Sequence, residues 1–165
     1  MINLNKLTII DYFYLFLPIV FGYTMVMFCS IIDYFYLFLP IISGYLMTIF
    51  CKPSKNAGAI VKFRPPAWVF GIVWPILYIL LGLAWINSKQ LSLFYWILII
   101  LLDLWLYIYS CKNNKIGGVF IIFLSILALL YIFINVSQTI KYYLAPLLVW
   151  LLFAGLINIV EVQKL

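Results

Sequence analysis

The sequence predicts an all-α integral membrane protein, a bundle of five transmembrane helices with a duplicated first helix at its N-terminus. Hydrophobic residues make up 68% of the 165 residues and charged residues 8%, whereas charged residues form about a quarter of a typical soluble domain. The mean hydropathy is +1.23. The apolar residues fall into runs of about 20, the length that a helix needs to cross the hydrocarbon core of a bilayer. A soluble globular domain is therefore excluded.

The residue types that are absent or scattered limit the functions that the chain can have. The chain has no histidine, which removes the commonest metal ligand and the usual acid–base group at neutral pH. Its cysteines, Cys29, Cys51 and Cys111, stand at the ends of apolar runs and form no C-x-x-C pair, so we expect buried free thiols and no metal site. The net charge of +6 comes from basic residues in short loops, which is typical of a topology signal and not of nucleic-acid binding.

The N-terminal third contains an internal repeat with an offset of 22 residues. Ile9–Cys29 and Ile31–Cys51 both begin IIDYFYLFLP, and each is long enough for one membrane helix. Two arrangements stay open: a tight hairpin near Cys29–Asp33, or one copy in the bundle with the other beside it. Only Ser30 and Asp33 could serve as polar turn residues, so we favour the second arrangement. The predicted division is an extra helix in residues 1–30 and the bundle in residues 31–165.

Within the bundle, five spans are predicted at residues 31–51, 66–86, 91–111, 117–137 and 142–162, separated by polar or basic turns. Seven Lys and Arg residues lie in the first loop, the KNNK turn and the C-terminus, against three on the other side. The excess of basic residues predicts that the first loop, the KNNK turn and the C-terminus face the cytosol. Which membrane the chain occupies is not predicted.

Two motifs on different predicted helices resemble one known family. The run P-P-x-W-V-F-G-x-V-W-x-x-L-Y begins at Pro65, and P-x-x-x-W-x-x-F-x-x-x-x-N runs from Pro146 to Asn158. Both resemble the TspO/MBR family, which comprises the translocator protein (the peripheral-type benzodiazepine receptor) and its bacterial relatives. The resemblance implies a five-helix bundle with a ligand cavity that the first loop closes. It also implies that the ligand is a porphyrin or a similar hydrophobic molecule, bound by a membrane receptor or carrier that requires no cofactor.

The resemblance assigns candidate ligand-binding residues to the first loop and three of the helices. Trp and Tyr rings suit a flat aromatic ligand, and a cation at the cavity mouth suits porphyrin carboxylates. The aromatic residues could instead pack helix against helix, and the last-helix asparagine could join two helices. The candidates are Phe63, Arg64, Pro65, Trp68, Trp74, Tyr78, Trp105, Trp150, Phe153, Ala154 and Asn158.

The sequence departs from the family pattern at two places. Phe63 stands where relatives usually carry Trp, and Leu98 and Leu102 stand where the third helix usually carries Gln and Asn. No catalytic cluster is visible, so a porphyrin-degrading membrane enzyme is an alternative without assigned catalytic residues. A structural membrane protein that keeps the fold but binds no ligand is the other alternative. The third span lacks a face of small residues, so a homodimer is possible but has no support from such a face.

Overall fold

A computed structural model describes the backbone of residues 9–52 and 58–164. In the first copy of the repeat it describes the exposure of Leu17 and Gly22 alone. Five α-helices follow one another through the described residues, and no strand occurs among them. They are α1 (Ile9–Phe50), α2 (Ala67–Ile86), α3 (Ser92–Leu106), α4 (Lys115–Asn135) and α5 (Gln138–Gln163).

Five stretches of these helices are long and apolar enough to cross a membrane. They are Ile31–Phe50, Ala67–Ile86, Lys89–Cys111, Lys115–Asn135 and Gln138–Gln163. Because a backbone in lipid must satisfy its own hydrogen bonds, an apolar run of this length is stable there as a helix. The predicted all-α membrane fold with five spanning helices is confirmed.

The junction between the two repeat copies is helical. Residues 29–33 belong to α1, so the tight hairpin near Cys29–Asp33 does not form. One serine and one aspartate are too few turn-forming residues to interrupt an apolar helix. The chain divides into two compact units between Phe35 and Tyr36. The second unit contains the C-terminal part of α1 and the other four helices, whereas the predicted boundary at residue 30 stays a prediction.

The core of the second unit is packed mainly between α2, α3, α4 and α5. Trp85, Tyr95, Leu129 and Leu147 are fully buried in it. The rings of Trp85 and Tyr95 stack with centroids 5.4 Å apart. The Tyr95 hydroxyl shares a 2.7 Å hydrogen bond with the buried Ser88 hydroxyl. These contacts fix the turn between α2 and α3.

At the other end of α3 the helix widens before the KNNK turn. Tyr107–Cys111 forms a short π-helical segment, a form that often occurs at functional sites. Asn113 then adopts a positive φ of 50°, which asparagine tolerates better than most residues. The Asn114 side chain accepts a 2.8 Å hydrogen bond from the Gly117 N–H and so caps α4. The turn residues of the sequence therefore end α3 and start α4 within a few positions.

Candidate functional site

A cavity of about 390 Å³ lies inside the second unit. This volume falls at the lower end of the range for small-molecule sites, roughly 300–1,000 Å³. It is open on one side and mostly apolar. Its walls come from α1, α2, the end of α3 and α5, with one residue from the first loop. The lining residues are Gly44, Tyr45, Thr48, Arg64, Ala67, Phe70, Gly71, Trp74, Pro75, Tyr78, Leu102, Trp105, Leu106, Tyr109, Ser110, Ala154, Ile157 and Asn158.

Helical spacing explains why these side chains share one cavity. On α2 the aromatic residues Phe70, Trp74 and Tyr78 recur every four positions. On α3 and the π-helical segment, Trp105 and Tyr109 keep the same interval. Residues four apart lie on one helix face, one turn above the other. Each of these helices therefore turns a strip of aromatic rings toward the cavity.

The aromatic rings form a connected cluster around Trp74. Its ring centroid lies 5.4 Å from that of Tyr78, 6.2 Å from that of Trp105 and 6.4 Å from that of Trp150. Trp105 in turn stacks on Tyr109 with centroids 5.3 Å apart. Such aromatic pairs contribute stability in addition to that gained by burying their apolar surface. The cavity wall is therefore a set of mutually supported flat rings that can face a flat ligand.

Several hydrogen-bond donors at this cavity have no protein partner among the described residues. The indole N–H of Trp105, the hydroxyl of Ser110 and the amide nitrogen of Asn158 are buried without one. All three residues line the cavity. The indole N–H of Trp150, in the same ring cluster, is also without a partner. Because buried polar groups in native structures nearly always have partners, these donors are candidates for hydrogen bonds to a ligand or to water.

The first loop is attached to the bundle by the carboxylate of Glu161 near the end of α5. Glu161 is buried, and its Oε1 accepts a 3.0 Å hydrogen bond from the Gly58 N–H. The Tyr109 hydroxyl donates to Oε2. Lys115 Nζ lies 3.9 Å from Oε1 and 3.6 Å above the centre of the Tyr109 ring. One carboxylate thus joins the first loop to α5, the π-helical segment and α4.

Gly58 and Arg64 meet where the first loop covers the cavity. Gly58 has a φ of +71°, and a Cβ added there would lie 3.2 Å from Arg64 Cδ and 3.3 Å from Ile157 Cγ2. Only glycine adopts this backbone conformation at low cost. The Arg64 guanidinium lies 5.3 Å from the centre of the Phe70 ring. The glycine therefore lets the loop lie close enough for Arg64 to form part of the cavity wall.

The structure brings six of the predicted site residues together in the cavity wall and leaves five outside it. The lining residues are Arg64, Trp74, Tyr78, Trp105, Ala154 and Asn158. The residues outside the wall are Phe63, Pro65, Trp68, Trp150 and Phe153. Trp150 still supports the wall through Trp74, and Phe63 contacts Phe153 with centroids 6.3 Å apart. Trp68 is 67% exposed. The ligand-binding role of all eleven residues stays a prediction.

Sequence reasoning missed the contribution of α1 and the Glu161 cluster. Gly44, Tyr45 and Thr48 were not among the candidates, although glycine and threonine within an apolar run can indicate a close helix contact. Glu161 lies three residues after Asn158, hence on the same helix face. An acid in a membrane-spanning segment is a functional candidate by default. That signal could have identified Glu161.

The prediction of free thiols is wrong for Cys51 and Cys111. These residues form a disulfide with their Cα atoms 5.3 Å apart. They stand 60 positions apart in the sequence, with no spacing motif to link them. The ends of α1 and α3 meet only in the folded bundle, so the sequence could not pair them.

The comparison with protein families agrees with this architecture. A model of the TspO/MBR family matches residues 36–162, most of the chain and nearly all of the second unit. The chain belongs to the TspO/MBR family. The match begins at Tyr36, the first residue of the second unit, so it leaves out the first repeat copy. No curated protein matches the sequence. The protein is thus a multi-pass membrane protein of the TspO/MBR family.

Proposed function

We propose that this TspO/MBR protein is a membrane receptor or carrier that binds a porphyrin or a similar flat hydrophobic molecule in its aromatic cavity. The observation that carries the proposal is the pairing of aromatic walls with unpartnered donors. Rings of Trp74, Tyr78 and Trp105 offer flat apolar faces, and Trp105, Ser110 and Asn158 offer N–H and O–H groups with no acceptor among the described residues. The complementary ligand is flat and apolar and carries oxygen acceptors. A tetrapyrrole with carboxylate groups has this chemistry.

Charge at the cavity supports an anionic ligand. Arg64 lines the cavity, and an arginine can hold a carboxylate with two parallel hydrogen bonds. Of the acids near the site, Asp103 is hydrogen-bonded to Ser43 and interacts with Tyr78. Glu161 is already bound by the Gly58 N–H, the Tyr109 hydroxyl and Lys115. Its negative charge is thereby compensated. A ligand carboxylate would meet Arg64 and the neutral donors.

Titration with protoporphyrin IX tests this proposal. Adding it to the full chain in detergent should quench tryptophan fluorescence in a saturable manner. Asn158→Leu removes a cavity donor and should weaken binding about tenfold, since a lost hydrogen bond costs about 1–3 kcal/mol. The matched control is Asn135→Leu, the same change at an exposed asparagine whose side chain donates to the Tyr131 carbonyl. The control should bind like the wild type.

The same titration decides between the proposal and a structural role. A wild-type chain that shows no saturable quenching would favour a protein that keeps the fold without a ligand. The variant Trp68→Ala tests whether Trp68 contacts the ligand. It weakens binding if Trp68 contacts the ligand, as the family motif predicts, and leaves binding unchanged if the lining residues define the site.

We further propose that the first loop, the KNNK turn and the C-terminus face the cytosol, because they carry most of the basic residues. Lys112 and Lys89 are exposed in turns at opposite ends of α3. In a chain whose three native cysteines are changed to serine, Lys112→Cys should react with an impermeant maleimide only from the cytosolic side. Lys89→Cys should react only from the other side. The reverse pattern would overturn the orientation.

A further inference from the structure

We propose that the Cys51–Cys111 disulfide is a reversible thiol–disulfide exchange site, and that its reduction by a dithiol lets α1 move away from α3 and opens the ligand cavity. The effect on the ligand rests on the proposed binding function. The movement of α1 does not depend on it.

The disulfide lies at one end of the cavity. Cys51 directly follows the last residue of α1, and Cys111 ends the π-helical segment after α3. Thr48 and Ser110, close to these cysteines in sequence, line the cavity from α1 and from the π-helical segment. The bond therefore joins the α1 wall to the α3 wall where the first loop begins.

The rest of α1 depends on few attachments. A Cβ at Gly82 would overlap the Leu37 carbonyl oxygen, so α1 and α2 cross in direct backbone contact at that point. Further along, Ser43 is hydrogen-bonded to Asp103 of α3, and Gly44 lies so close to the Tyr78 ring that a Cβ there would overlap it. The next strong attachment is the disulfide, 7 positions after Gly44, or about 10 Å at 1.5 Å per residue. Between Gly44 and the disulfide lie Tyr45 and Thr48, two of the α1 residues of the cavity wall.

The outer side of α1 does not anchor it within the second unit. Leu46, Ile49 and Phe50 are all about half exposed or more, so lipid surrounds much of these side chains. An apolar helix face that moves from lipid into a protein contact gains no hydrophobic stabilisation. Helix association in a membrane therefore depends on close packing and polar contacts. Breaking the disulfide would therefore leave the last turns of α1 with weak packing against α3.

The exchange chemistry can start at Cys111, which is exposed, whereas Cys51 is only 3% exposed. A dithiol thiolate attacks Cys111 Sγ and forms a mixed disulfide, and Cys51 leaves as a thiolate that takes up a proton. The second thiol of the reductant then displaces Cys111. The protein disulfide gains two electrons and two protons, and the dithiol becomes a cyclic disulfide. A small-molecule disulfide reverses the reaction by the same steps.

The proposed orientation places the disulfide on the cytosolic side of the membrane. Cys51 precedes the first loop and Cys111 precedes the KNNK turn, and we propose that both segments face the cytosol. Dithiol systems keep cytosolic cysteines mostly reduced, so disulfides there are usually transient or redox-sensing. A shift toward oxidation would close the cavity around its ligand, and a return to reducing conditions would release the ligand.

The test compares the oxidised and the dithiothreitol-reduced full chain in detergent, in a Cys29→Ser background so that only the two paired cysteines are counted. Maleimide labelling should find no thiol in the oxidised form and two in the reduced form. Reduction should speed the dissociation of protoporphyrin IX about threefold or more, since differences within one binding site appear mainly in the dissociation rate. Reoxidation should restore the slow rate.

The matched control adds Cys51→Ser and Cys111→Ser to the same background. This chain should release protoporphyrin IX at the fast rate with or without dithiothreitol. Equal dissociation rates for the oxidised and reduced parent chain would overturn the inference. If protoporphyrin IX binds in neither state, the proposed binding function fails, and hydrogen exchange of residues 44–51 decides the inference. Faster exchange after reduction supports it, and unchanged exchange overturns it.

Discussion

At the scale of single residues, Glu161 shows how one buried carboxylate can organise a cavity. A charged group in a membrane bundle is costly unless it is paired and hydrogen-bonded. Here its two oxygens are held by the Gly58 N–H, the Tyr109 hydroxyl and Lys115. These partners come from three separate segments. The cost of burying the charge is offset only when all of them are in place, so the carboxylate holds Gly58 of the first loop against the end of α5.

Tyr109→Phe should destabilise the protein by about 1–2 kcal/mol, because Glu161 Oε2 loses its hydroxyl donor. Thermal unfolding in detergent measures the change, and faster proteolysis of the first loop should accompany it. Tyr107→Phe is the matched control, since Tyr107 is 38% exposed and its ring lies beneath Lys112, with Nζ 5.6 Å from the ring centre. The control should change stability by less than about 0.5 kcal/mol. Equal melting of the two variants would contradict this account.

The residues of the cavity were only partly predictable from the sequence. Helical spacing alone places Trp74 with Tyr78, and Trp105 with Tyr109, because a helix repeats every 3.6 residues. It cannot place Tyr109 against Glu161, which is 52 positions away. That contact depends on the axial register of α3 against α5. This register is set by the packing of the whole bundle.

At the scale of helices, Gly82 determines how closely α1 and α2 approach. Small residues let membrane helices bring their backbones together, which strengthens packing where no hydrophobic effect drives association. Tyr36 packs nearby against Trp85, with ring centroids 4.8 Å apart. The crossing holds α1 in position as a cavity wall.

Gly82→Ala should cost about 1–3 kcal/mol of stability, since its Cβ would meet the backbone of Leu37, which cannot rotate away. Gly71→Ala on the same helix is the control, because no heavy atom lies within 4 Å of the Cβ position there. That control should be neutral or slightly stabilising, as alanine is the better helix former. Circular dichroism melting in detergent compares the two, and the idea fails if Gly82→Ala melts no lower than Gly71→Ala.

The helices themselves were predictable because membrane length and apolar composition leave few other structures. The helix through the junction of the two repeat copies was harder to predict. The sequence offered a hairpin and a side-by-side arrangement as alternatives, and the structure shows helix through residues 29–33. Every backbone group there can bond within the helix, whereas a turn in apolar surroundings would leave several of them unsatisfied.

At the scale of the whole molecule, the family match and the cavity both fall within the second compact unit. The family match starts at residue 36, next to the boundary between the compact units. All cavity-lining residues lie between Gly44 and Asn158. The site therefore requires the second repeat copy and the helices that follow it.

A chain shortened by residues 1–30 should keep its helical content and bind protoporphyrin IX within about twofold of the full chain, a change of under 0.5 kcal/mol. A chain shortened by residues 1–50 is the control. It also loses Gly44, Tyr45 and Thr48 from the cavity wall and should bind much more weakly. Fluorescence titration of both chains measures this. Loss of binding in the first chain would show that the first copy supports the site.

The unpartnered donors of Trp105, Ser110 and Asn158 have a consequence for a protein dissolved in lipid. Any open apolar cavity in a bilayer competes with the acyl chains around it, which are present at far higher concentration than a ligand. An acyl chain has no acceptor along its length, so entering the cavity would leave these donors unsatisfied, at about 1–3 kcal/mol each. If the cavity binds a ligand as proposed, these donors would favour a molecule that brings its own oxygen atoms over the surrounding acyl chains.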